Sequence, residues 1–215
     1  MNIAERKYRV GYVDESRNDI VYFHDFMVKY DSVIEVIDFI PESETIDELY
    51  QKINNEKLDI LVVDYRLNEY SNINFQGSDL IDYLHQKRRD FPCILLTSHP
   101  YEALDYSLDS HIVYDKEIII AQSEQDDGDI FFKKIKKSIE KYINQLNEAE
   151  KTINELNNRA NLSIEEENSL LLSDEFIEAN LGIPSVTPRI LKTENHNKEL
   201  KQLIDEVQRL LNELQ

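Results

Sequence analysis

Residues 59–64 read Asp-Ile-Leu-Val-Val-Asp and form the strongest strand candidate in the chain. Four consecutive apolar residues between two aspartates are typical of a strand that is buried on both faces, as in the middle of a parallel sheet. Parallel strands are joined by crossover connections, which are usually helices. This stretch therefore predicts a central strand that ends in the carboxylate of Asp64, with further strands on either side.

The sequence around this strand supplies those neighbours. Apolar runs at 8–13, 33–40, 93–96 and 111–114 are the other strand candidates. Segments with helical spacing separate them at about 19–30, 44–54, 78–89 and 101–108, and Ser78 is the expected N-cap of the third. Strands that alternate with helices predict an α/β fold, a doubly wound five-stranded parallel sheet with right-handed crossovers.

Polar side chains follow four of the predicted strands. Asp14 and Glu15 come after the first strand, Asp64 after the third, Thr97 after the fourth and Lys116 after the fifth. The carboxyl ends of parallel strands share one edge, so these side chains are expected to converge there. Three carboxylates are ligands that suit Mg²⁺, and an activated carboxylate beside a hydroxyl and an ammonium group suits phosphoryl transfer.

The order of these residues resembles the receiver domain of two-component response regulators, over roughly residues 8–130. The resemblance rests on five matches: the acidic pair at 14–15, Asp64 closing Leu-Val-Val, Gly77 opening the next helix, Thr97 closing Ile-Leu-Leu, and Lys116. Together they imply a flavodoxin-like sheet with its site at the carboxyl edge.

The resemblance also implies a role for each matched residue. Asp64 would accept a phosphoryl group from a phosphohistidine on a histidine kinase or phosphotransfer protein, and Thr97 and Lys116 would contact that group. The implied Mg²⁺ ligands are Asp14, Glu15, Asp64 and the backbone carbonyl of Arg66. The chain would be no enzyme beyond catalysing its own phosphorylation and dephosphorylation.

Three positions depart from the family's pattern. The aromatic switch residue usually lies three positions before the lysine, where this chain has Val113, with Tyr114 one place later. Proline usually follows the lysine, where this chain has Glu117. These departures support an alternative function, a phosphorylation-independent pseudo-receiver that acts as a scaffold or adaptor.

Residues 131–215 are predicted to form a separate α-helical module after a receiver-like domain at 1–130. Apolar residues from Phe132 to Ala160 alternate at spacings of four and three, which is a heptad seam, and a second seam covers 200–214. The expected structure is a coiled coil or helical hairpin that binds an unknown protein target or a second copy of the chain. The pattern contains no helix-turn-helix with a basic recognition helix.

Amino-acid composition limits the classes of partner and the cellular location that we expect. The 215 residues carry 43 acidic and 24 basic side chains, a net charge of -19, which opposes nucleic-acid binding. No apolar run reaches the ~20 residues that cross a bilayer, so no membrane partner is expected. The single cysteine, Cys93, has no partner for an internal disulfide, and the predicted location is the cytoplasm.

Overall fold

The computed structural model describes residues 7–30, 34–69, 71–106, 110–120, 125–157, 159 and 162–180. Within these residues the chain forms one five-stranded, all-parallel sheet in the order β2-β1-β3-β4-β5. The strands are β1 (Tyr8–Val13), β2 (Ile34–Phe39), β3 (Ile60–Asp64), β4 (Cys93–Thr97) and β5 (Val113–Asp115). This is the flavodoxin-like, doubly wound strand order, and it confirms the predicted fold class.

Helices connect the strands and extend the chain beyond them. They are α1 (Arg17–Tyr30), α2 (Ile46–Asn55), α3 (Gly77–Lys87), α4 (Pro100–Tyr106), α5 (Glu117–Ile120), α6 (Gln125–Leu156) and α7 (Ile164–Asn180). The sequence did not separate α5 from the helix that follows it. None of the helices in the described part of the chain combines the length and apolar character needed to span a bilayer.

The predicted N-cap of α3 was wrong. The helix begins at Gly77, the residue that the resemblance places at its start, and its N-cap is Gln76, two residues before the predicted Ser78. The backbone N–H of Gln76 donates to the Asp79 carboxylate at 2.8 Å, so this acidic side chain in the first turn fixes the helix start. The fifth strand is also displaced, because Ser110–Ile112 forms a 3₁₀ turn before β5 begins.

One face of the sheet packs against α1 and α6. The Tyr12 ring of β1 stacks on Phe23 of α1 with 4.2 Å between ring centroids. The buried residues that α6 adds to this core are Phe131, Phe132, Ile135 and Ile139. Burying aromatic side chains of this size contributes strongly to stability, so the first turns of α6 are a structural part of the sheet domain.

The first turns of the predicted heptad seam therefore lie in this core. Ile135 and Ile139 are fully buried in it. Tyr142 packs edge-on against Phe91 at 5.4 Å, and its hydroxyl accepts a hydrogen bond from Arg88 at 3.3 Å. Over these turns the apolar stripe packs on the chain's own domain instead of on a partner helix, since spacings of three and four also describe the core face of a globular helix.

The chain divides into two compact units, residues 1–145 and 146–215. The sequence placed the division at 130/131, whereas residues 131–142 pack with the sheet for the reason just given. In the second unit, Ser163 and Glu166 cap the start of α7 reciprocally at 2.9 and 3.2 Å. The predicted seam at 200–214 lies outside the described residues.

Candidate functional site

Asp14 follows β1 and is held in one orientation. Its Oδ1 accepts a hydrogen bond from the backbone N–H of Ser16 at 2.8 Å, and its Oδ2 accepts one from the Tyr12 hydroxyl at 2.5 Å. The side chain is fully buried. Burial and the neighbouring Asp14 charge hold the pKa of Tyr12 well above its ordinary value, so the phenol remains a donor to this carboxylate.

Asp64 closes β3 and faces the same edge of the sheet. Its Oδ2 accepts a hydrogen bond from the backbone N–H of Arg66 at 2.7 Å, and its Oδ1 lies 2.8 Å from the Lys116 ammonium nitrogen. Burial raises the pKa of Asp64, and the Lys116 charge opposes that rise. The position after the central strand, predicted from the run at 59–64, places this carboxylate at the centre of the site.

Gly77 lets the loop after β3 return against the end of that strand. Its N–H donates to the carbonyl of Tyr65 at 2.8 Å. A Cβ at this position would lie only 1.9 Å from the carbonyl oxygen of Asp64, so a side chain here would collide with the backbone of the site. Gly77 is therefore a steric requirement for the position of Asp64.

Lys116 joins the carboxylates of the site. Its ammonium nitrogen lies 2.8 Å from Asp14 Oδ2, 2.8 Å from Asp64 Oδ1 and 2.7 Å from Asp19 Oδ2, and only 5% of its side chain is exposed. Burial lowers the pKa of Lys116, but Asp64 and Asp14 outweigh it and raise that pKa above the ordinary value. The lysine is therefore a permanent positive charge among three carboxylates.

Thr97 lies at the end of β4 in the same layer. It is buried, and its hydroxyl accepts a hydrogen bond from the backbone N–H of His99 at 3.0 Å. Its carbonyl accepts from the backbone N–H of Lys116 at 2.9 Å, which ties the lysine to the neighbouring strand end. The structure thus brings Asp14, Asp64 and Lys116 into direct contact, whereas Thr97 supports the lysine through its backbone.

Glu15 is the acidic neighbour whose bonding is incomplete. Its Oε2 is buried and has no hydrogen-bond partner among the described residues. Burial, and then the charges of Asp64 and Asp14, raise the pKa of Glu15 to about 7. An unpartnered carboxylate oxygen near two further carboxylates supplies ligand atoms of the type that Mg²⁺ prefers.

The side chains are not arranged around a common metal position. Within the described ranges, no group of three or more His, Cys, Asp and Glu side chains is placed to hold a metal ion. Lys116 contacts both Asp14 and Asp64, so a cation would compete with its ammonium for their oxygens. The Arg66 carbonyl, the fourth predicted ligand, accepts a hydrogen bond from the Glu69 N–H at 3.2 Å and has a second lone pair.

Two features of the site were missed at the level of sequence. Asp19 reaches Lys116 from the first turn of α1, and its only sequence signal is an acidic residue near a helix start at the carboxyl edge. The Arg66 guanidinium pairs with Glu102 of α4, thirty-six residues away, for which the sequence offers no signal. This ion pair links the loop after β3 to α4.

Comparisons with known proteins give structural neighbours alone. No family model matches the chain, and no curated protein matches it in sequence. A fusion protein with the yeast Spc42 trimeric coiled coil is 15% identical, with a TM-score of 0.46, covering 64% of this chain and 81% of that one. The Salmonella typhimurium RcsB response regulator is 16% identical, with a TM-score of 0.43, covering 84% of this chain and 94% of that one. An RcsB–DNA complex is 17% identical, with a TM-score of 0.39, covering 90% and 98%.

Proposed function

We propose that this chain is a cytoplasmic response regulator that accepts a phosphoryl group on Asp64 from a histidine kinase or phosphotransfer protein. The observation that carries the proposal is the buried Lys116 ammonium, 2.8 Å from both Asp14 and Asp64 at the carboxyl edge of the sheet. A lysine and two carboxylates from three different strand ends, fixed in contact, match the chemistry that phosphoryl transfer to a carboxylate requires.

The transfer itself needs few groups. A carboxylate oxygen of Asp64 forms a new bond to phosphorus while the P–N bond of the phosphohistidine breaks, and the electron pair of that bond leaves on the imidazole nitrogen. Mg²⁺, held by Asp14, Glu15 and Asp64, would supply charge neutralisation for the phosphoryl oxygens. Lys116 provides a second fixed positive charge, and the Thr97 hydroxyl provides a donor at the neighbouring strand end.

The output is proposed to leave the domain through α6. Tyr114 packs on Phe131 of α6 with 5.2 Å between ring centroids, and the Lys134 ammonium lies 4.8 Å from the Tyr114 ring centre. Side chains alternate along a strand, so Val113 and Tyr114 face opposite sides of the sheet, and the aromatic ring belongs to the α6 side. Movement of Lys116 toward a phosphoryl group would therefore shift β5 against this helix.

The helical region would transmit that shift to the surfaces that bind a protein target or a second copy of the chain. α6 continues without a break from Gln125 to Leu156, beyond the last residues that pack in the sheet domain. A change at its first turns would alter how the helices contact a protein target or a second copy of the chain. A net charge of -19 is unfavourable for a nucleic-acid output.

The test is intact mass spectrometry after incubation with Mg²⁺ and phosphoramidate, a small phosphodonor with a P–N bond. We expect one phosphoryl adduct on the wild-type chain, none on Asp64→Asn, and an unchanged adduct on the matched control Asp105→Asn. Asp105 is exposed on α4, away from the ammonium contacts described above. An equal adduct on Asp64→Asn would refute the assignment of the phosphoacceptor.

A second candidate function is a phosphorylation-independent scaffold whose sheet domain is only a platform. The observation that favours it is that no described cluster of side chains is arranged around a metal position. Under this function the oligomeric state and partner binding would ignore both Mg²⁺ and phosphodonor. A wild-type chain that gains no adduct from either phosphoramidate or a phosphorylated histidine kinase would favour the scaffold.

A further inference from the structure

Asp19 is the one carboxylate around Lys116 that does not follow a strand. It lies in the first turn of α1, and its Oδ2 is 2.7 Å from the Lys116 ammonium, across 97 residues of sequence. Its side chain is 22% exposed, whereas that of Lys116 is 5% exposed. The buried ammonium therefore has two partners inside the site and a third on its rim.

These partners differ in what else they are proposed to bind. Asp14 and Asp64 belong to the proposed Mg²⁺ ligand set, so a cation and Lys116 would compete for the same oxygens. Asp19 lies outside that set. If a cation took the inner carboxylates, Lys116 would still need an anionic partner, because an unpaired ammonium group is costly in a buried position.

We infer that Asp19 is a positioning residue for Lys116. Its contact holds the ammonium group at the rim of the site, and it would keep the lysine directed at an incoming phosphoryl group if a cation displaced the ammonium from Asp14 and Asp64. This inference rests on the proposed function, and it adds a residue that the sequence pattern of the site does not contain.

A purely structural role is the competing explanation. An acidic residue in the first turn stabilises a helix through the helix dipole, and Asp19 occupies such a position in α1. Its backbone N–H also donates to the Ser16 hydroxyl at 3.4 Å. A residue with this role alone would change the free energy of unfolding and leave both the transfer rate and Mg²⁺ binding unchanged.

The experiment compares Asp19→Asn with wild type, with Asp19→Glu as the charge-conserving variant and Asp25→Asn as the matched control. Asp25 lies on the same helix, is exposed, and loses the same charge in the control. The first readout is the maximal rate of adduct formation at saturating Mg²⁺ and phosphoramidate, by intact mass. The second is Mg²⁺ affinity by calorimetry, which needs no phosphorylation.

In Asp19→Asn we expect a maximal rate on the order of tenfold lower and weaker Mg²⁺ binding, because Lys116 is drawn back onto Asp14 and Asp64. Asp19→Glu should recover most of the rate, and Asp25→Asn should behave as wild type. An Asp19→Asn chain with the wild-type maximal rate would overturn the inference, whatever its Mg²⁺ affinity. A wild-type chain that gains no adduct from phosphoramidate or from a phosphorylated histidine kinase would instead count against the proposed function. Calorimetry would then decide the inference, because an unchanged Mg²⁺ affinity in Asp19→Asn overturns it.

Discussion

Replacing Gly77 by alanine should distort the site through a single atom. The added Cβ would lie 1.9 Å from the carbonyl oxygen of Asp64 and 2.9 Å from both the Asp64 carbonyl carbon and Val63 Cγ1. Two of these three neighbours are backbone atoms, which have no rotamer by which to move away. The separation from the carbonyl oxygen must grow by about 1 Å to reach even 3.0 Å, so either α3 or the end of β3 has to shift.

The size of the effect follows from that displacement. Overpacking of this kind costs about 1–3 kcal/mol, and alanine returns at most about 1 kcal/mol through its higher helix propensity. We therefore expect the free energy of unfolding to fall by up to about 3 kcal/mol. A displacement of about 1 Å at a reacting group costs on the order of 100-fold in rate, so phosphorylation of Asp64 should slow by about that factor.

Gly128→Ala is the matched control for this substitution. There the new Cβ would meet the Tyr30 hydroxyl at 2.5 Å, which is the end of a side chain that can move, and Gly128 lies in helix α6. Urea unfolding followed by far-ultraviolet circular dichroism gives the stabilities, and intact mass gives the phosphorylation rates. A Gly77→Ala chain as stable as Gly128→Ala, and phosphorylated at the wild-type rate, would refute the steric role of Gly77.

Three further predictions concern the charge cluster and its link to α6. The pKa of Glu15 is raised from 4.5 to about 7, so the folded chain keeps a proton that the unfolded chain releases, and stability should fall as the pH rises through that range. With a metal chelator present, Glu15→Gln should therefore raise the free energy of unfolding by on the order of 1 kcal/mol near pH 8, after allowance for solvent screening, and leave it unchanged near pH 4. A lower free energy of unfolding at pH 8, measured by urea unfolding, would contradict this. Lys116→Met leaves the buried carboxylates without the ammonium group and should lower the free energy of unfolding by about 3–5 kcal/mol in metal-free buffer, with part of this recovered on adding Mg²⁺. A decrease below about 1 kcal/mol would contradict the ion pairing. Tyr114→Ala should destabilise the chain by about 2–4 kcal/mol and uncouple phosphorylation from any change in oligomeric state measured by light scattering, whereas retained coupling would exclude the Tyr114–Phe131 route.

The sequence predicted the sheet and the centre of its site for one physical reason. The carboxyl ends of parallel strands meet at one edge, so residues that close apolar runs, such as Asp14 and Asp64, could be placed together without coordinates. Lys116 followed from the same rule after the fifth strand. The fit of these predictions to the observed strands is close because the runs are short, apolar and clearly bounded.

The remaining features depend on geometry that the sequence does not encode locally. Asp19 meets Lys116 only because the first turn of α1 returns to the sheet edge, and the Arg66–Glu102 pair depends on the path of a loop. The pattern around Ile135 and Ile139 describes a coiled-coil seam and a globular core face equally well, and only the packing of these residues against the sheet distinguishes the two. α5 is too short for periodicity to separate it from its neighbours.

The packing of the first turns of α6 into the sheet domain couples the stability of the site to that of the helix. A fragment ending at residue 130 would retain every proposed site residue, yet it would lose Phe131, Ile135 and Ile139 and leave the aromatic face of α1 uncovered. Such a truncation removes buried apolar area that contributes several kcal/mol, whereas the total stability of a domain is typically only about 5–15 kcal/mol. Because the same apolar core supports both, we expect the first turns of α6 and the carboxylate cluster to unfold together, and a ligand that displaced those turns would also disrupt the site.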